Sequence, residues 1–282
     1  MQNLSDISVI RSVLEKHGFN FSKALGQNFL INPSVCPRMA EYSLADENTG
    51  VIEIGAGIGV LTAELAKIAK KVVCVELDTR LLPILDETLA DFDNIEIVNA
   101  DVMKTDLKAL IEEKFQGMDV VVCANLPYYI TSPVITMLLE SRLPIKAVTV
   151  MIQKEASDRL CTPVGSRDSG AITVCTNYYA EVRQLFNVSR GSFMPAPNVD
   201  STVIRLDIRA NPAVTVSDEK KFFRMVKAAF AQRRKTALNS ISSGMGISKT
   251  QVAEALATSG LDENVRAEKL TMQELATLCE NL

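Results

Sequence analysis

The sequence predicts an α/β protein: a doubly wound, Rossmann-like parallel sheet followed by a small all-α domain. Three observations carry that expectation. Between residues 50 and 152, apolar runs of strand length alternate with segments of helical periodicity. A glycine-rich turn, Glu53-Ile-Gly-Ala-Gly-Ile-Gly59, joins the first of those runs to a helix. Beyond Arg209, strand signals give way to helix signals with good N-caps.

Taken in order, residues 6–17 read as an amphipathic helix, with Ile7, Ile10, Val13 and Leu14 at helical spacing. Pro33 opens a second helix toward Ala45. Strands are expected at 50–54, 71–76, 95–99, 119–124 and 147–152, with helices at 61–70, 79–90 and 133–140 between them. Three further strands are expected at 171–179, 182–186 and 200–208. Ala210-Asn-Pro-Ala213 reads as a linker, which sets domains at 1–208 and 209–282. Helices are then expected at 217–232, 234–242, 248–258 and 271–281. Thr271-Met-Gln-Glu274 supplies a capping box for the last.

Composition narrows the function classes. The chain has 282 residues, 47% hydrophobic and 23% charged, which excludes disorder and a disulfide scaffold. No apolar run approaches the ~20 residues of a membrane span, and the first residues do not read as a secretory signal. The six cysteines are scattered with no C-x-x-C, so reduced thiols and a cytoplasmic location are expected. A single histidine, His17, argues against a multi-histidine metal site, and no metal is expected. Net charge is −4, unlike a generic nucleic-acid binder. The average hides an asymmetry: residues 205–282 balance at +3 and the preceding 204 at −7. A polyanion contact must therefore be a local patch.

The glycine turn is the first candidate site. Glycines there let backbone approach a ligand at a helix N-terminus. Glu76 ends the next strand, 21 residues after Gly55, where a carboxylate can accept hydrogen bonds from ribose hydroxyls. Asp101 follows the third strand in the same crevice. The dinucleotide fingerprint would place glycine at position 60, which is Val60 here. The G-x-G-x-G spacing favours S-adenosylmethionine, but the loop alone leaves a nicotinamide dehydrogenase open.

Asn125-Leu-Pro-Tyr128 decides between them. It follows a strand that should end beside the cofactor. In methyl transfer to an exocyclic amine of a base, the nitrogen lone pair is delocalised into the ring. The Asn125 side-chain carbonyl and the main-chain carbonyl of Leu126 or Pro127 can each accept an N–H and stabilise the developing charge. Tyr128 offers a face for stacking, worth roughly 1–3 kcal/mol. The remaining task is alignment, which contributes on the order of 7–11 kcal/mol without a strong base.

At these residues the chain resembles the ribosomal RNA adenine N6,N6-dimethyltransferase family, and within it the bacterial small-subunit branch. The likeness runs nearly end to end. It includes Leu25-Gly-Gln-Asn-Phe-Leu30, Glu53 to Gly59, Val75-Glu76, Asn99-Ala-Asp101, Asn125-Leu-Pro-Tyr-Tyr129 and Gln153-Lys-Glu155. It continues through Phe193-Met-Pro-Ala-Pro197, Val199-Asp-Ser201 and Ala229-Phe-Ala-Gln-Arg-Arg-Lys235. The resemblance implies a class I methyltransferase sheet using S-adenosylmethionine. It implies dimethylation of two adjacent adenosines near the 3′ end of 16S rRNA, in the 30S subunit or its precursor during ribosome biogenesis. Carried over, Asn28 and Leu30 would hold the methionine end of the cofactor, Gly55 would approach the cofactor through its own backbone, and Glu76 would hold the ribose. Asp101 would hold the adenine amine, and Asn125 would face both cofactor and target. Phe193 resembles the aromatic that sandwiches a flipped adenine with Tyr128. The chain departs from the family at Pro163-Val-Gly-Ser-Arg-Asp-Ser-Gly170, where Ser169 stands in place of a common tyrosine. That departure bears on how the loop closes over the site and leaves the chemistry as it is.

Residues 220–235 hold seven basic residues and no acids. If one helix runs that far, Lys220, Arg224, Lys227, Arg234 and Lys235 share a face suited to rRNA phosphates, opposite Phe223, Val226 and Phe230. Arg233 falls on the apolar side. A monomer is expected, with no membrane partner. Two rivals share elements of this pattern. Large-subunit rRNA methyltransferases that confer macrolide resistance are strongly basic, whereas this chain has a pI near 5.3. Mitochondrial transcription factors on the same scaffold are disfavoured by the intact Asn125 and Tyr128.

Overall fold

Strands covered on both faces are mostly apolar, and Thr49–Ile54 and Lys71–Glu76 are: every residue but Lys71 is buried, Glu53 and Glu76 included. In a computed structural model that describes residues 4–22 and 26–282, these are β2 and β3, two inner strands of a seven-stranded sheet. The chain divides into two compact units, Met1–Ser157 with Arg183–Ile208, and Asp158–Val182 with Arg209–Leu282.

The first unit begins with α1 (Ile7–Lys16), β1 (Phe29–Leu30) and α2 (Val35–Tyr42). Alternation follows: β2, α3 (Val60–Ala66), β3, α4 (Leu82–Thr88), β4 (Ile95–Asn99), α5 (Leu107–Lys114) and β5 (Asp119–Asn125). Then come α6 (Thr131–Glu140), β6 (Ala147–Gln153) and α7 (Lys154–Cys161). After α8 (Ala171–Tyr179), the sheet is completed by β7 (Ala180–Val188) and β9 (Ser201–Ile208), with a short β8 (Phe193–Met194) between them. Strand order is β4-β3-β2-β5-β6-β9-β7. Pairs from β4 through β6 are parallel, and β9 is antiparallel to β6. The chain leaves β2 toward β3 and β4, then returns to β5 on the other side. That reversal is a topological switch point, where open α/β sheets bind ligands at the carboxyl ends of strands. Val51, Val72 and Val121 of the sheet pack with Met39, Leu65 and Leu85 of the helices. The separate β1·β8 ribbon pairs Leu30 with Phe193.

The second unit is built on α9 (Glu219–Phe230), α10 (Ala237–Met245), α11 (Lys249–Thr258) and α12 (Met272–Asn281). Asp218 and Thr236 cap the first two, and Ser248–Gln251 and Thr271–Glu274 form capping boxes on the others. Phe222, Met225 and Val226 of α9 are buried, as are Ile241, Leu256 and Leu278 of the helices that follow.

Two expectations are corrected. Residues 171–179 form helix α8, not a strand. Its β-branched run suggested a strand, but Gly170 N donates to Thr173 Oγ1 at 3.0 Å to start a helix. Tyr178 and Tyr179 then pack on Phe222 and Phe223 of α9, with centroids 5.1–5.4 Å apart. Tertiary packing outweighs propensity here. Residues 158–182 accordingly belong with the helical unit, whereas the sequence boundary at 208 had assigned them to the sheet domain. Helices α5 and α7 were not expected at all.

Candidate active site

Four consecutive parallel strands end at one edge, and each delivers one of the expected residues. Gly55 follows β2, Glu76 ends β3, Asp101 lies just past β4 and Asn125 ends β5. All four line a cavity of about 290 Å³, together with Asn28, Leu30, Leu126, Pro127, Tyr128 and Phe193. Every residue expected to bind cofactor or take part in catalysis thus lines this one cavity. Leu25, the first residue of the quoted 25–30 motif, lies outside the described residues.

The glycine turn is positioned by backbone. Gly55 N donates to Val75 O at 3.0 Å, and its φ of +77° is one L side chains rarely adopt. A Cβ there would meet no atom within 4 Å, so its free side faces open space. Glu76 is buried. Its Oε2 accepts from Gly57 N at 3.1 Å and its Oε1 from Asp78 N at 2.8 Å. Burial pushes its pKa up, against the lowering effect of those amides. Asp101 Oδ1 accepts from Met103 N at 3.0 Å, and Oδ2 stands 3.6 Å from Lys104 Nζ.

The 125–128 segment hangs from β6. Asn125 pairs with Met151, and Leu126 N donates to Met151 O at 3.3 Å. The Leu126 side chain is buried, which fixes the segment from beneath. Pro127 O accepts from Ile130 N at 3.1 Å and from Thr131 Oγ1 at 3.5 Å. Tyr128, half-buried, shares a 2.7 Å hydrogen bond with Ser201 Oγ. Phe193 is buried at the start of β8.

A model of the ribosomal RNA adenine dimethylase family matches residues 18–282. The chain belongs to that family. It is 48% identical over 276 residues to the ribosomal RNA small subunit methyltransferase A of Anoxybacillus flavithermus, covering 96% of this chain and 94% of the relative. The protein of the same name from Bacillus cytotoxicus is 46% identical over 286 residues, covering 100% and 98%. Among solved structures, the 23S rRNA methyltransferase ErmE superposes with a TM-score of 0.68 at 28% identity, over 90% of this chain and 99% of that one. A dimethyladenosine transferase from Plasmodium falciparum reaches 0.74 at 24% identity, over 89% and 95%, and so shares the fold. The chain is therefore an S-adenosylmethionine-dependent rRNA adenine dimethyltransferase of class I fold. The donor set fits that cofactor: two carboxylates at adjacent strand ends for a ribose and an adenine amine, and an open-sided glycine for close approach.

Around the site of this dimethyltransferase stand further residues to which the sequence assigns no role. Gln27 Nε2 donates to Asp78 Oδ2 at 2.7 Å and Gln27 Oε1 accepts from Ser22 N at 2.8 Å, tying the Asn28 loop to the end of β3. The Arg80 guanidinium clamps Asp78 at 2.6 and 2.9 Å and holds its carboxyl below the usual range. Leu77 and Val102, each next to a strand-end acid, and Tyr129 also line the cavity. Their signal was adjacency to a chosen residue.

The basic segment is partly corrected. Lys220, Arg224 and Lys227 lie on the exposed face of α9. The helix stops at Phe230, so Arg234 and Lys235 do not share that face; they lie, exposed, in the turn before α10. Arg233 is exposed as well, not on an apolar side. The 163–170 loop is fastened within its own unit: Ser169 is buried and its Oγ reaches Ser166 O at 2.8 Å and Glu268 O at 3.2 Å. Gly165 sits against Thr271. Among the described residues no helix is long and apolar enough to cross a membrane.

Proposed function

We propose that this dimethyltransferase places two methyl groups on N6 of each of two adjacent adenosines near the 3′ end of 16S rRNA. It acts as a cytoplasmic monomer on the 30S subunit or its precursor, and needs no metal. The observation that carries the reading is Asn125-Leu-Pro-Tyr128 at the end of β5, in the wall of the cavity that also holds Glu76 and Asp101. The names of the relatives at 46–48% identity favour the small subunit over the 23S substrate named for ErmE.

S-adenosylmethionine supplies a methyl carbon already activated by a sulfonium. Glu76 would hold its ribose, Asp101 its adenine amine, and Asn28 and Leu30 its methionine end. The chain's remaining task is to present the target nitrogen. Asn125 Oδ1 accepts one N–H of the amine. The second acceptor is the Leu126 carbonyl, because Pro127 O is already taken up by Ile130 N and Thr131 Oγ1. Two acceptors draw the lone pair out of the ring and stabilise the charge that grows on nitrogen. Tyr128 and Phe193 would hold the extruded base by stacking, which offsets the few kcal/mol of flipping. After transfer the proton is lost to water, so no strong base is needed. Lys220, Arg224, Lys227, Arg234 and Lys235 would contact rRNA phosphates.

The test is transfer of labelled methyl groups to undermethylated 30S particles, 50S particles and naked rRNA, with mapping of the modified bases. Label is expected on two adjacent adenosines of 30S particles. Label confined to 50S particles would overturn the assignment. Asn125→Ala should lower turnover by about 10²–10³-fold, the usual cost of losing one preorganised polar contact to a developing charge. Its circular dichroism should stay that of the parent. Near-parental turnover would refute the role given to Asn125.

A further inference from the structure

Tyr128 is a tyrosine where stacking alone would be served by phenylalanine. Its hydroxyl is held at 2.7 Å by Ser201 Oγ, from a residue 73 positions away that is itself fully buried. Ser201 opens β9 and pairs with Gln153 at the end of β6. Its neighbour Asp200 is pinned twice. Asp200 O accepts from Lys154 N at 3.0 Å, and Asp200 Oδ1 accepts from Arg190 N at 2.8 Å. Arg190 begins the short turn that leads directly into Phe193. Leu126 N meanwhile hangs from Met151 of the same β6. The end of β6 is thus a common reference for the Tyr128 loop and for the corner at 200–201.

We propose that the Asp200-Ser201 corner is a positioning device for methyl transfer. Ser201 fixes the ring of Tyr128 through its phenol, and Asp200 fixes the turn that carries Phe193. One dipeptide then sets the gap between the two faces that receive the target base. The inference rests on the function proposed above and extends it to residues that touch neither cofactor nor substrate. The phenol is suited to a tether and not to proton transfer. Burial pushes its pKa up, the hydrogen bond to Ser201 lowers it, and the Asp200 charge raises it further, so it remains neutral at working pH. Alignment is where a loosened ring is felt, because small misplacements of a reacting pair cost rate steeply.

The experiment compares Tyr128→Phe, Ser201→Ala and the double variant on undermethylated 30S particles, with cofactor affinity measured by calorimetry. Each single change should lower kcat about five- to twentyfold while cofactor Kd stays within about twofold. The double variant should be no slower than the slower single, because both changes cut the same bond. A merely structural loss would instead show in cofactor affinity and would multiply in the double variant. Parental kcat in either single variant, or multiplying effects, overturns the proposal. Should Ser201→Ala fail to fold, Tyr128→Phe alone decides, since it keeps the ring and removes only the tether. Failure of the parent enzyme to label 30S particles would refute the functional reading and this inference with it. A labelling parent with unchanged variants refutes the inference alone.

Discussion

Glu53 shows what one residue of a motif costs and contributes. It sits at 1% exposure in β2, opposite Cys74 of β3 and Cys123 of β5. Burial pushes its pKa up to about 7, against hydrogen bonds from Thr62 and Cys74 that favour the charged form. The folded protein therefore keeps a proton that the unfolded chain has released between about pH 4.5 and 7. Stability falls as pH rises through that window, by on the order of 3 kcal/mol at 1.36 kcal/mol per pH unit. Glu53→Gln carries no charge to bury. Its Tm relative to the parent should rise between pH 5 and pH 8, and a difference independent of pH would show that Glu53 is ionised throughout. The sequence marked Glu53 only as the first letter of a turn motif. Its burial depends on strand partners 21 and 70 residues away, Cys74 and Cys123, which no local pattern encodes. Glu76 and Asp101, by contrast, were legible because a strand end followed by an acid is a local pattern.

At the scale of the element, α3 illustrates how a ligand turn is also a helix start. Gly59 is its N-cap with φ +89°, and a Cβ there would lie 2.9 Å from Leu89 Cδ2 at the end of α4. Gly59→Val should cost about 1–3 kcal/mol through backbone strain alone, read as a lowered urea midpoint with unchanged m-value. A parental midpoint would mean the turn relaxes freely. Periodicity found β3 and β4 to the residue, because their apolar runs are bounded by polar ends. It misassigned α8, whose Ile172, Val174 and Thr176 mimic a strand until Tyr178 and Tyr179 find α9. It ran α9 too far, because nothing in Ala231-Gln-Arg-Arg-Lys235 forbids a helix. The turn there leads into the Thr236 cap of α10.

For the whole molecule, the charge asymmetry matters most. An acidic protein that acts on RNA must concentrate its positive charge, and residues 205–282 carry the excess. Reversing Lys220, Arg224 and Lys227 to glutamate should weaken 30S binding and reduce the slope of log K against log salt by roughly 2–3. Filter binding across a salt series checks this, and an unchanged slope would remove α9 from the RNA surface. The division into units follows the same logic. The sheet unit gathers the residues proposed to hold the cofactor, while the helical unit takes 158–182 from the middle of the chain.

The sequence by itself determined the alternating architecture, the strand-end acids, the Asn125–Tyr128 tetrapeptide that follows a strand, and the family. Each is written in short, contiguous spacing. Tertiary structure alone decided that Tyr128 is tethered to Ser201 and that Gln27 ties the Asn28 loop to Asp78. The reason is physical. A hydrogen bond between residues 51 or 73 apart needs both partners placed by packing, and packing is a property of the folded chain, not of any window along it.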